Sequence, residues 1–238
     1  MSYADNPYRS PMDAFAISAA EDERAGFITK TYLHLAGAIG LFVVLEAVLL
    51  NLPGVEGVIR QVFSVRFGWI ALMVGFMLVS YIADRWARTA TSPAMQYAGL
   101  GLYVVAEAVI FVPLLWIADN FYPGVIMSAA VATLSLFGLL TVVVFITRKD
   151  FSFLRSVLIF GGFAALGLIV AAVLFQFALG PVFTYAMIAL ACGYILYDTS
   201  NILHHYRIGQ HVAASLALFA SVALLFWYIV QLFMSRRD

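Results

Sequence analysis

The stretch Gly124–Thr147, GVIMSAAVATLSLFGLLTVVVFIT, runs without a charged residue. A helix crosses the hydrocarbon core of a bilayer with about 20 mainly apolar residues. This segment meets that length, and six others resemble it: 27–50, 68–83, 96–118, 153–178, 181–200 and 212–234. The whole chain is 64% hydrophobic and 11% charged, against about 25% charged in soluble domains. A water-soluble core cannot absorb that much apolar surface, so the bilayer is the expected solvent. The expected fold class is all-α, a polytopic transmembrane helical bundle of seven spans.

The connections are short. NLPG, TSPA, FYPG and LGP carry the turn chemistry between spans. Between the first two spans, Val55, Val58, Val62 and Val65 recur at helical spacing, which predicts a short helix lying at the membrane interface or an irregular apolar loop. Residues 1–25 are polar and acidic and lack the pattern of a signal or transit peptide. They read as a loosely attached tail ahead of a membrane domain over 26–238. The single cysteine, Cys192, lies in an apolar run and reads as a small packed hydrophobe.

Lysine and arginine set orientation. Arg9, Arg24, Lys30, Arg85, Arg88, Arg148, Lys149, Arg155 and Arg207 fall on the side of the N-terminus. Arg60, Arg66, Arg236 and Arg237 fall on the other. The excess puts the N-terminus in the cytoplasm, and seven spans put the C-terminus outside. A six-span arrangement with a re-entrant last segment would return it.

Ionisable residues inside spans mark functional sites by default. Glu46, Glu107 and Asp198 are the three such positions. Glu46 lies near a span end, where reaching water is the simpler expectation. Glu107 is mid-span, as a site residue or as a carboxyl bonded to a neighbouring helix. Asp198, in GYILYDTSNILHHY (193–206), shares a helix face with Asn201 and His205. Arg85 or Arg88, at the end of the second span, is expected to latch onto Asp198. His204, His205, Arg207 and His211 read as a solvated loop, with too few ligands for zinc. The glycines of AGAIG (36–40) and GGFAALG (161–167) read as helix-packing sites. Trp69, Trp116 and Trp227 read as an interfacial belt.

Zero net charge gives no footprint for nucleic acid. There is no HExxH, no GxSxG and no phosphate-cradling Gly-Lys loop. The only lysines, Lys30 and Lys149, lie near membrane ends, which disfavours a retinal Schiff base. An enzyme is not expected, and neither is a bound cofactor or resident metal.

Four stretches carry a likeness. FITKTYLHLAGAIGLFV (27–43), LYVVAEAVIFVPLL (102–115), TVVVFITRKDFSFLRSVL (141–158) and YILYDTSNI (194–202) resemble, in order and spacing, the Bax-inhibitor-motif (YccA-like) family of membrane proteins. The resemblance implies a seven-helix bundle with its last helix central. It implies a pH-sensitive calcium leak in some members, gated by an aspartate of the sixth span paired with one of the seventh. Asp198 matches the first. In LALFASVALLF (216–226) the second falls on Ser221, and an expected asparagine falls on Leu224. A serine can bond Asp198 but cannot share a titrating charge. Glu107 and Asn201 could add oxygen ligands if the helices converge. The resemblance also implies, as the alternative, a non-conducting regulator of an FtsH-type membrane protease or of a stress response. The setting expected from it is the bacterial inner membrane.

Overall fold

The structure is a computed structural model that describes residues 14–65, 67–89 and 92–237. Seven long apolar helices account for the expected spans: α1 (Glu21–Leu50), α3 (Gly68–Ala87), α4 (Pro93–Phe121), α5 (Val125–Thr147), α6 (Leu154–Phe175), α7 (Gly180–His204) and α8 (His211–Ser235). The short helix α2 (Val55–Ser64) lies between the first two. At 1.5 Å per residue even α3 reaches about 30 Å, the thickness of the hydrocarbon core.

Local chemistry places the ends. Pro93 opens α4 at a position where a missing N–H costs nothing, and the Ser92 hydroxyl accepts from the Met95 N–H at 3.4 Å. Gly54 and Gly124, at φ 89° and 79°, turn the chain into α2 and α5, a backbone region that favours glycine. Helix α2 forms, but its valines do not share one inward face. Ile59 is its buried residue, while Val58 and Val65 are exposed.

Helix α8 is the hub. It packs on α1, α3, α4, α5 and α7, whereas α6 packs on α7. In the most apolar 18-residue window of each span, 56% of the last and 50% of α4 is buried, against 11–22% of the others. The outer helices therefore present their apolar faces to lipid, and the polar chemistry concentrates along α4, α7 and α8. Phe111 of α4 anchors this centre, its ring 5.1 Å from Phe42, 5.8 Å from Phe226 and 4.9 Å from Trp227. Trp227 also stacks on Trp69 at 6.0 Å, so these two tryptophans pack within the protein as well as lying toward span ends.

Two expectations need correction. Helix α1 begins at Glu21, and residues 14–18 are docked. The Ala16 N–H donates to the Tyr206 carbonyl at 2.9 Å, the Ile208 N–H donates to the Ala14 carbonyl at 3.1 Å, and Ala16 is fully buried. A single antiparallel bridge joins Phe15 to Arg207. The loosely attached tail thus does not extend through residue 25. Residues 1–13 lie outside the described residues, as do Arg66 and Asp238. The second correction concerns Glu46, which is only 5% exposed, with neither carboxylate oxygen hydrogen-bonded. The inward stripe of α1, Phe27–Thr31–Leu35–Ala38–Phe42, continues through it, so it faces the bundle and does not reach water.

Candidate functional site

Six residues before the end of α7, Asp198 points into the bundle between the fully buried Ile195 and Ile202. Ser221 occupies the facing turn of α8, and its hydroxyl donates to Asp198 Oδ2 at 2.6 Å. Asp198 is 8% exposed and Ser221 5%. A bond this short to a carboxylate, shielded from water, is of the charge-assisted kind.

On the side where α1 ends, a cavity of about 1000 Å³ opens between α3, α4, α6, α7 and α8. Gln231 and Ser235 of α8 line its outer part, and Trp69 and Trp227 lie on its wall. Its deepest polar groups are Glu107, Tyr103, Tyr194 and Ser221. Asp198 stands behind Ser221 and does not line the cavity. The pair therefore lies beyond a cavity that opens on the side where α1 ends. Glu107 is buried, with the Tyr103 hydroxyl beside it from one turn earlier on α4.

Beyond Asp198, toward the side where α1 begins, a second polar group follows. Arg88 Nε bonds both Asp84 carboxylate oxygens at 2.8 Å. Its guanidinium also lies beside the Tyr206 hydroxyl. Tyr206 is 9% exposed. Burial, then the nearby Asp198 charge, pushes its hydroxyl above the ordinary phenol range. The charges of Arg88 and Asp198 interact, but the direct ion pair of Arg88 is with Asp84. Arg85 lies at the exposed end of α3 against the Tyr81 hydroxyl, at 3.4 Å. Asn201 is half-buried one turn beyond Asp198, and its backbone carbonyl accepts from the His205 and Tyr206 N–H groups.

The histidines separate. His204 bonds the Ser200 carbonyl at 2.9 Å. His205 bonds Asp150 at 3.0 Å. His211 lies beside His34, ring centroids 5.0 Å apart. For Asp150, slight burial acts in the raising direction. The Ser152 N–H and the His205 ring outweigh it and hold the carboxyl below its ordinary value. Among the described residues no three His, Cys, Asp or Glu side chains are grouped to hold a metal ion.

Of the residues singled out in the sequence, Asp198 and Ser221 meet and Glu107 lines the cavity, while Asp84, Tyr103 and Tyr206 beside them were not singled out. The i,i+4 spacing of Asp84 and Arg88 was the one available signal, because such pairs meet on a helix. Nothing in the polar run HHYRIG marks Tyr206 as buried.

A bundle of seven apolar helices around a buried carboxylate–hydroxyl pair defines a polytopic integral membrane protein with an intramembrane polar site. The family model described as inhibitor of apoptosis-promoting Bax1 matches residues 24–238, and the chain belongs to this Bax inhibitor family. It is 27% identical over 218 residues to an uncharacterized protein of Pseudomonas aeruginosa, covering 90% of this chain and 91% of that one. It is 33% identical over 117 residues to a BI1-like protein of Arabidopsis thaliana, covering 45% and 44% of the two chains. Bax inhibitor 1 of Schizosaccharomyces pombe is 34% identical over 120 residues, covering 47% and 43%. The match thus spans less than half the length of these two eukaryotic relatives.

Proposed function

We propose that the protein is a leak pathway for cations, with calcium as the cargo and Asp198 as the gate. The observation that carries this reading is the cavity of about 1000 Å³ whose inner end is Ser221, hydrogen-bonded to Asp198. A buried acid at the inner end of a cavity is where a charged solute would exchange its water for protein oxygen. Calcium favours such hard oxygen ligands. Glu107 and Ser221 offer them on the cavity wall, and Asp198 behind Ser221. The excess of basic residues on the side of α1's start supports a cytoplasmic N-terminus, in a bacterial inner membrane. Cations would then enter from outside and meet the gate near the cytoplasmic end.

The test is calcium flux into proteoliposomes at about pH 6 and about pH 8, since protonation of Asp198 would remove the charge at the gate. The native protein should conduct differently at the two values, and Asp198→Asn should erase the difference. Folded native protein that passes no calcium under either condition would overturn the leak and leave the non-conducting regulator of a membrane protease.

A further inference from the structure

The segment Ala14–Ser18 does not line the cavity, yet it is fastened to the loop that follows α7. Two backbone hydrogen bonds tie it to Tyr206 and Ile208. Ala16 is fully buried, and the Arg207 guanidinium lies 5.6 Å from the centre of the Phe15 ring, a cation–π distance. The next links run inward. The Tyr206 hydroxyl lies beside the Arg88 guanidinium, Arg88 pairs with Asp84, and the charges of Arg88 and Asp198 interact. The backbone that the segment holds therefore carries the side chain completing the polar group beyond Asp198.

We infer that residues 14–18 form an autoinhibitory strap over the inner mouth of the passage. While the strap is docked, Tyr206 is held against Arg88 and the way past Asp198 is closed. When it lifts, the 205–208 loop loses both hydrogen bonds and the cover over Ala16. Tyr206 can then swing away from Arg88. The strap stops short of α1, with Ala19 and Ala20 between them, so it can detach without unwinding a span. Because it precedes the first helix, whatever pulls on the chain's N-terminus acts directly on the gate. The inference rests on the leak reading, whose failure has its own signature below.

The non-hydrogen-bonded pair Phe15 and Arg207 offers the sharpest test. Cα atoms of such a pair lie about 4.5 Å apart, within disulfide reach. Phe15→Cys with Arg207→Cys, oxidised, should lower calcium flux in proteoliposomes, and reductant should restore it. Deleting residues 1–18 should raise flux on the order of tenfold, as expected for the loss of two net hydrogen bonds. Deleting 1–13 alone should leave it unchanged. Hydrogen exchange at residues 198–206 should accelerate in the longer deletion only, whether or not ions pass. Flux without any response to crosslink or deletion would overturn the strap. So would unchanged exchange in the longer deletion. Accelerated exchange with no flux in any form would instead sink the leak while keeping the docked strap.

Discussion

A carboxylate that has left water must find its hydrogen-bond donors in the protein. For Asp198 the side-chain donor is Ser221, at 2.6 Å. Ser221→Ala removes that donor and leaves the acid buried. It should cost about 1–3 kcal/mol of stability, visible as a lower unfolding midpoint in detergent, with Ser221→Thr costing less. An equal midpoint for the alanine variant would mean that water already satisfies Asp198. At this scale the sequence was informative about rank and poor about neighbours. Charge inside an apolar run singled out Asp198 and Glu107. The pairing with Ser221 came from resemblance, since no local pattern links residues on separate helices. Glu46 was misread because closeness to a span end does not tell which way a side chain faces. The turn of α1 that buries Phe42 also buries Glu46.

Helices α3 and α4 approach each other closely at Gly99. A Cβ there would stand 2.6 Å from the Ala83 carbonyl oxygen and 2.6 Å from the Ala87 nitrogen. Backbone atoms of α3 cannot move aside as a flexible side chain can. Gly99→Val should therefore force α3 and α4 apart and destabilise by about 1–3 kcal/mol or more. Gly37→Val, whose Cβ meets nothing within 4 Å, should pass nearly unnoticed in the same detergent unfolding series. Equal loss in both would sink this reading of the interface. The small-residue runs were only partly legible. Gly161 and Gly162 do meet Leu190 and Tyr194 of α7, but Gly37, Gly40 and Gly167 face open space. Composition reports that a face is small, not what lies opposite it. The existence of each span was legible from apolar length, while the ends were not. Helix α3 runs on through Asp84 to Ala87 and α7 through to His204, because polar residues at a membrane boundary can stay helical with their side chains paired.

Across the whole molecule, seven spans put the start of α1 and the end of α8 on opposite faces. The last helix is continuous from His211 to Ser235, and beyond it Arg237 donates to the Pro123 carbonyl at 2.7 Å. Cysteines introduced at residue 10 and at residue 236 should therefore react with an impermeant thiol reagent from opposite sides of intact cells. Labelling of both from one side would restore the re-entrant arrangement. The central place of α8 has a further consequence, one of timing. Chains are made from the N-terminus onward, and α8 follows the six other spans. Six spans must wait in the bilayer around a hole that only the twenty-five residues of α8 fill. Until α8 is made, Asp198 has no Ser221 to meet. The Asp198–Ser221 pair is therefore completed only when α8 arrives, so a copy stopped before that helix lacks the pair altogether.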